Sequence, residues 1–231
     1  MPARAGAALH AVPAREWQAE HTDMDARKEI PRLQHPLVLL IDAQPGFFID
    51  LRGMVVSEAI KARWQRLLAM CRCLGLPAIA TFEEPERNGW LSEECEREWP
   101  AHGMRVVKRT FDCCGEPQVV AALAETGRAQ VIVAGAETDV CVLQSVLSLL
   151  ARGHEVFLLE DCLASTEMHT RPALARMYAA GAVPCTLKTA YYELVKSVDV
   201  CRDPGSVGPG WAELMRVFGE PEALPAWQPA R

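Results

Sequence analysis

Residues 129–150 read AQVIVAGAETDVCVLQSVLSLL, and the fold class follows from how this stretch changes character partway along. Gln130 to Ala134 is an apolar run rich in β-branched residues, the pattern of a strand buried on both faces. Gly135 interrupts it. Thr138 and Asp139 then offer side-chain oxygens suited to capping a helix. From Cys141 onward, Val142, Val146, Leu149 and Leu150 recur at helical spacing. Strand, tight turn and helix thus occupy about twenty residues, with a cysteine in the first helical turn. Helix N-terminal N–H groups lack intrahelical partners, and the macrodipole favours negative charge there. Such a position suits a thiolate nucleophile, and it equally suits a buried structural cysteine.

Working outward, the same alternation repeats. Leu37–Ile41, Ala78–Thr81, Met104–Val107, Glu155–Leu159 and Ala182–Cys185 read as further strands. Ser57–Leu74, Pro117–Thr126, Arg171–Ala180 and Tyr191–Val198 read as helices, with a short helix or lid between Trp90 and Pro100. Strand and helix in strict alternation predict a three-layer α/β/α domain around a mostly parallel, doubly wound sheet of about six strands. The expected organisation is an arm over 1–36, the α/β domain over 37–200, and a Pro/Gly-rich extension over 201–231. That extension holds one amphipathic piece, Trp211–Phe218.

Composition narrows the function. The chain has 231 residues, half of them hydrophobic, enough to bury one sizeable core. A net charge of −6 without a basic patch argues against a nucleic-acid partner. No apolar run is long enough to span a bilayer, and no signal peptide is visible. Nine cysteines, an odd number without a C-x-x-C pair, predict reduced thiols in the cytoplasm rather than a disulfide framework.

Ligands of open parallel sheets bind beyond the carboxyl ends of the strands. Asp42, Lys108 and Cys141 all fall there. Each has a plain structural reading as well: a turn cap, a solvent-seeking lysine, a core thiol. Together they form a pattern. Asp42-Ala43-Gln44-Pro45-Gly46-Phe47, Lys108-Arg109-Thr110-Phe111-Asp112 and Gly135-Ala136-Glu137-Thr138-Asp139-Val140-Cys141-Val142 resemble the three motifs of the isochorismatase-like cysteine hydrolases. The resemblance covers roughly Leu37 to Lys196.

The resemblance implies a Rossmann-like domain and an Asp42–Lys108–Cys141 triad that hydrolyses a small-molecule C–N bond. The substrate would be an amide, ureide or carbamoyl compound, opened through a thioester. It also implies an oxyanion hole of the Glu137 and Cys141 backbone N–H groups, a cis peptide at Ala136–Glu137, and a homo-oligomer. Nicotinamidases of the family bind a metal through an Asp-x-His pair after the second strand. This chain reads Thr81-Phe82-Glu83-Glu84-Pro85-Glu86 there, so neither a metal nor another cofactor is expected. Gly46 stands where family members often carry an acid.

Substrate contacts are expected from Gln44, Phe47, Phe82, Glu83, Trp90 and Tyr191, with the stretch from Phe82 to Gly89 read as an exposed loop. The helix start and Lys108 predict a lowered Cys141 pKa, with Asp42 opposing. The alternatives are a vinyl-ether hydrolase or esterase and, from another class, an idle scaffold or thiol-redox protein.

Overall fold

The computed structural model describes residues 31–48 and 54–197. The expected arm up to residue 30 and the amphipathic piece Trp211–Phe218 lie outside them. Six strands, β1 (Leu37–Ile41), β2 (Ala78–Glu83), β3 (Met104–Lys108), β4 (Gln130–Ala136), β5 (Glu155–Ala164) and β6 (Val183–Cys185), form one sheet in the order β3-β2-β1-β4-β5-β6. Every pairing is parallel. The helices are α1 (Met54–Leu74), α2 (Pro85–Asn88), α3 (Glu93–Arg97), α4 (Pro117–Thr126), α5 (Leu143–Ala151), α6 (Arg171–Ala179) and α7 (Leu187–Val195).

The unbroken apolar strands are explained by what covers them. Successive residues of a strand point to opposite faces. In β1, Val38 and Leu40 enter one core with Trp64, Leu67 and Leu68 of α1 and Tyr191 of α7. Leu37, Leu39 and Ile41 enter a second core with Val119 and Leu123 of α4, Val146 and Leu149 of α5, and Met177 of α6. All five β1 residues are fully buried, and each buried Leu or Ile contributes about 1.5–3 kcal/mol relative to exposure. The indole of Trp64 remains satisfied inside by donating to the Cys162 carbonyl at 2.9 Å. Among the described residues no helix is long and apolar enough to cross a membrane.

Strand order reverses between β1 and β4, the crevice where α/β sheets bind ligands. Two backbone features shape it. Gly135 has φ +125° beside Ile41, and a Cβ there would meet the Ile41 carbonyl oxygen at 1.9 Å. Only glycine lets β4 run this close to the end of β1. Asp42 has φ +45°, a left-handed conformation costing a non-glycine residue on the order of 1–3 kcal/mol.

Several elements differ from the sequence reading. β2 continues through Phe82 and Glu83, which pair with Val107 and Lys108 of β3, so the expected exposed loop begins two residues later. β5 runs on to Ala164. Its Asp161 pairs with Arg63 at 2.7 Å and accepts the Leu187 N–H at 2.9 Å, at the start of α7. That helix begins at Leu187 rather than Tyr191 because Thr186 caps it. Residues 32–36, read as part of the arm, are fastened to the domain. Leu33 is buried, its N–H donates to Glu193 at 3.0 Å, and Gln130 binds the Arg32 carbonyl and the Gln34 N–H.

Candidate active site

Asp42 follows β1, Glu83 ends β2, Lys108 ends β3 and Cys141 follows β4, so the crossover topology delivers four chemically active side chains to one edge. The parallel register sets Glu83 beside Lys108. Lys108 Nζ lies 2.6 Å from Asp42 Oδ2, with both side chains fully buried. The same ammonium lies 3.7 Å from Cys141 Sγ and donates to the Thr110 carbonyl at 3.0 Å. Thr81, at the strand end next door, donates its hydroxyl to Asp42 Oδ1 at 2.9 Å. The Asp42 carboxylate is therefore held on both oxygens.

Cys141 does not sit in an ordinary first helical turn. Thr138–Val142 forms one turn of π-helix before α5 begins at Leu143, a local widening frequently found at functional sites. Thr138 and Asp139 are not caps. The Thr138 hydroxyl donates to the Ala164 carbonyl at 3.0 Å, and Asp139 accepts from Ser165 at 2.6 Å. The Glu137 carboxylate accepts both the N–H and the hydroxyl of Thr166. The end of β5 and the loop after it thus brace the cysteine turn. The Ala136–Glu137 peptide is cis, where the resemblance placed one.

The other candidates separate into two groups. Gln44 is fully buried, and its amide clamps the end of β2: it donates to the carbonyls of Glu83 (3.0 Å) and Gly89 (2.6 Å) and accepts the Glu83 N–H at 2.7 Å. Its amide is committed to backbone, so it positions Glu83 rather than substrate. Phe82 and Tyr191 belong to the core beneath α1 and α7. Neither is a loop residue, because β2 and α7 extend past the boundaries read from sequence. Phe47 is half-buried in a short turn over Pro45–Phe48, and Trp90 is exposed, its ring 4.8 Å from that of Phe82. A Cβ at Gly46 would meet Asn88 Cα at 2.6 Å, so α2 occupies the space an acidic side chain would need.

Sequence reasoning missed Thr81, Ser145 and Asp112. Ser145 accepts the Cys113 N–H at 2.9 Å. Asp112 accepts from the Cys114 N–H and from Ser148, tying the loop after β3 to α5. Thr81 carried a signal as a hydroxyl near the end of an otherwise apolar strand, and Asp112 as the close of the motif that begins at Lys108.

Electrostatics overturn one expectation. The Cys141 thiol is pushed up, not down: burial is the largest cause, and Asp42 and Glu83 add to it while Lys108 opposes. Burial also raises the Asp42 carboxyl against the pull of Lys108 and Thr81. For Lys108, burial works against the ammonium, but Asp42 with the nearby thiols outweighs it, and the net direction is upward. These directions favour a protonated thiol and an ammonium on Lys108, which is the partner that draws the buried Asp42 toward its ionised form.

Among the described residues, Asp42, Glu83 and Cys141 form a group whose ligand atoms lie within 4.8 Å of one another. The residues do not fit a metal, because the Lys108 ammonium is already placed 2.6, 3.8 and 3.7 Å from those three. A divalent ion would face that charge at contact range, and among the described residues no histidine joins the group. Dialysis against a chelator is expected to leave turnover unchanged. Activity that returns only with added zinc or iron would show otherwise.

An isochorismatase domain model matches residues 36–189. Isochorismatase domain-containing protein 1 of Salmo salar is 37% identical over 134 residues, 57% of this chain and 46% of that protein. The chain thus spans about half the length of such curated relatives. Two solved structures resemble it more completely. One is the Escherichia coli YcaC gene product, described as an octameric hydrolase of unknown specificity: 28% identity, TM-score 0.72, covering 82% of this chain and 92% of that one. The other is Pseudomonas aeruginosa YcaC with hexane-2,5-diol and covalent acrylamide: 29% identity, TM-score 0.68, covering 81% and 97%. With two thirds of its length, residues 36–189, matched to that domain, the chain belongs to the isochorismatase domain family.

Proposed function

We propose that this protein is a metal-independent cysteine amidohydrolase that opens a small amide, ureide or carbamoyl compound through a thioester. The observation carrying this reading is the thiol of Cys141 beside a fully buried Asp42–Lys108 pair at 2.6 Å. A base of that kind is what a high-pKa thiol requires in order to react at neutral pH.

In the proposed sequence Asp42 takes the thiol proton as sulfur bonds to the carbonyl carbon. The carbonyl electron pair moves onto oxygen, which is met by the backbone N–H groups of Glu137 and Cys141. Asp42 returns the proton to the leaving nitrogen, the C–N bond breaks and the amine departs. A water then loses its proton to Asp42 and attacks the thioester. The C–S bond breaks, and the proton returns to sulfur as the acid leaves. Lys108 stays protonated throughout, holding Asp42 in place and offsetting the charge that develops. The covalent acrylamide on the Pseudomonas aeruginosa relative supports a reactive nucleophile in this fold.

The test is a panel of small amides, ureides and carbamoyl compounds assayed for ammonia release, with intact-protein mass read for an acyl adduct and the Cys141→Ala variant as blank. Release that the variant matches would overturn the reading. The described cysteines are all free thiols, in keeping with a reducing cytoplasmic setting. The octameric Escherichia coli relative supports a homo-oligomer here as well. Light scattering is expected to give a multiple of the chain mass, and the mass of a single chain across a concentration range would refute it.

A further inference from the structure

Glu83 is a second carboxylate at the nucleophile, and the proposed triad gives it no task. Its Oε2 lies 3.6 Å from Cys141 Sγ and 3.8 Å from Lys108 Nζ. The latter is beyond a good N–H···O bond, and the ammonium is already taken by Asp42 at 2.6 Å and the Thr110 carbonyl at 3.0 Å. The Glu83 side chain is 22% exposed where Lys108 and Asp42 are at 0%. It is the solvent-reaching carboxylate of the group, within 3.6 Å of the sulfur.

Its placement is built in. The strand register sets it beside Lys108, Gln44 holds both its N–H and its carbonyl, and Asn88 donates to the same carbonyl at 2.8 Å. The nearby exposed Arg87 is turned to Glu84 at 3.8 Å. Arg109, next to Lys108, is also exposed.

Two carboxylates and one ammonium around a neutral thiol leave the site one negative charge in excess. An oxyanion forming on the carbon attached to Cys141 would be destabilised by Glu83 at this range in a part-buried setting. That penalty disappears when the substrate itself brings positive charge or N–H donors to the carboxylate. Resting on the reading of Cys141 as nucleophile, we infer that Glu83 selects substrates presenting a cation or a cluster of N–H donors beside the scissile carbonyl, and turns away those bearing a carboxylate there. Ammonium-bearing amides, guanidino compounds and ureides fit this requirement, whereas carboxylate-bearing amides do not.

The experiment uses the full chain and two matched series. Methanethiosulfonates with 2-aminoethyl, methyl and 2-sulfonatoethyl groups carry positive, no and negative charge, and their rates at Cys141 are read by peptide mapping without requiring turnover. Glycinamide, propionamide and malonamate vary charge in the same way for hydrolysis. The cationic reagent is expected to outpace the anionic one at Cys141 by about tenfold or more. Glu83→Gln, which keeps shape and backbone contacts, should shrink that ratio severalfold. Using the ratio cancels the change in thiol acidity that the substitution also brings.

An anionic reagent that reacts as fast as the cationic one, or a ratio untouched by Glu83→Gln, overturns the inference. So does faster hydrolysis of malonamate than of glycinamide, which would put Arg109 in charge of recognition. Charge-ordered labelling without ammonia release from any amide would leave the inference about Glu83 standing and count against the amidohydrolase reading instead.

Discussion

Cys141→Ala is expected to lower kcat/KM by about 10⁴-fold or more while the protein stays folded, as removal of a covalent nucleophile does elsewhere. The size follows from the chemistry. Without sulfur there is no thioester, and Asp42 is left to activate water directly against an amide. Positioning and the oxyanion donors would supply what activity remains. Folding should be little affected, because the sulfur is one atom on a turn secured by other contacts: Thr138 to Ala164, Asp139 to Ser165, Glu137 to Thr166. Circular dichroism and a denaturation curve separate the two effects. Near-wild-type ammonia release from a folded variant would remove Cys141 from the mechanism. Substitution by serine should fall almost as far, since Asp42 would then have to deprotonate a far weaker acid than a thiol.

What the sequence made legible was whatever depended on short-range pattern. The ends of β1 and α4 were read to the residue, because apolar runs met hard boundaries at Asp42, Pro117 and Gly127. That Asp42, Lys108 and Cys141 meet at one edge was legible because each ends or follows a strand of one parallel sheet. What escaped depended on neighbours distant in the chain. The run Glu83-Glu84-Pro85 looks like a loop locally, yet β3 extends β2 through Glu83 by pairing. Gln44, in a loop by sequence, has its amide occupied by the backbone groups of Glu83 and Gly89. The Cys141 thiol misled for the same reason. A helix start and a lysine were visible in the text, but the depth of burial and the second carboxylate at 3.6 Å were not.

Lys108→Met is expected to harm both stability and activity, and their pH dependence distinguishes its role from simple packing. Methionine is close in length and apolar, so the void left is small. The Asp42 carboxylate, fully buried, loses its ion pair and keeps the neutral donors Thr81 and Cys141. Leaving one member of a buried pair uncompensated costs about 3–5 kcal/mol when the charge remains. Part of this is avoided by protonation, because burial already raises the Asp42 carboxyl above its ordinary 3.8 and loss of the ammonium raises it further. A carboxyl raised in the folded state binds its proton more tightly there than in the unfolded chain. The stability linked to it is then fully present below the unfolded pKa and is lost as pH rises through the folded one. The deficit of the variant relative to wild type should therefore be small at acid pH and grow toward neutrality. Activity moves in the same direction, since Asp42 must be ionised to accept the thiol proton, and the acid limb of kcat/KM should shift to higher pH. Urea denaturation at several pH values, with a pH–rate profile alongside, checks both. A deficit that stays constant with pH, or an acid limb that does not move, would mean that Lys108 fills space without governing the charge on Asp42.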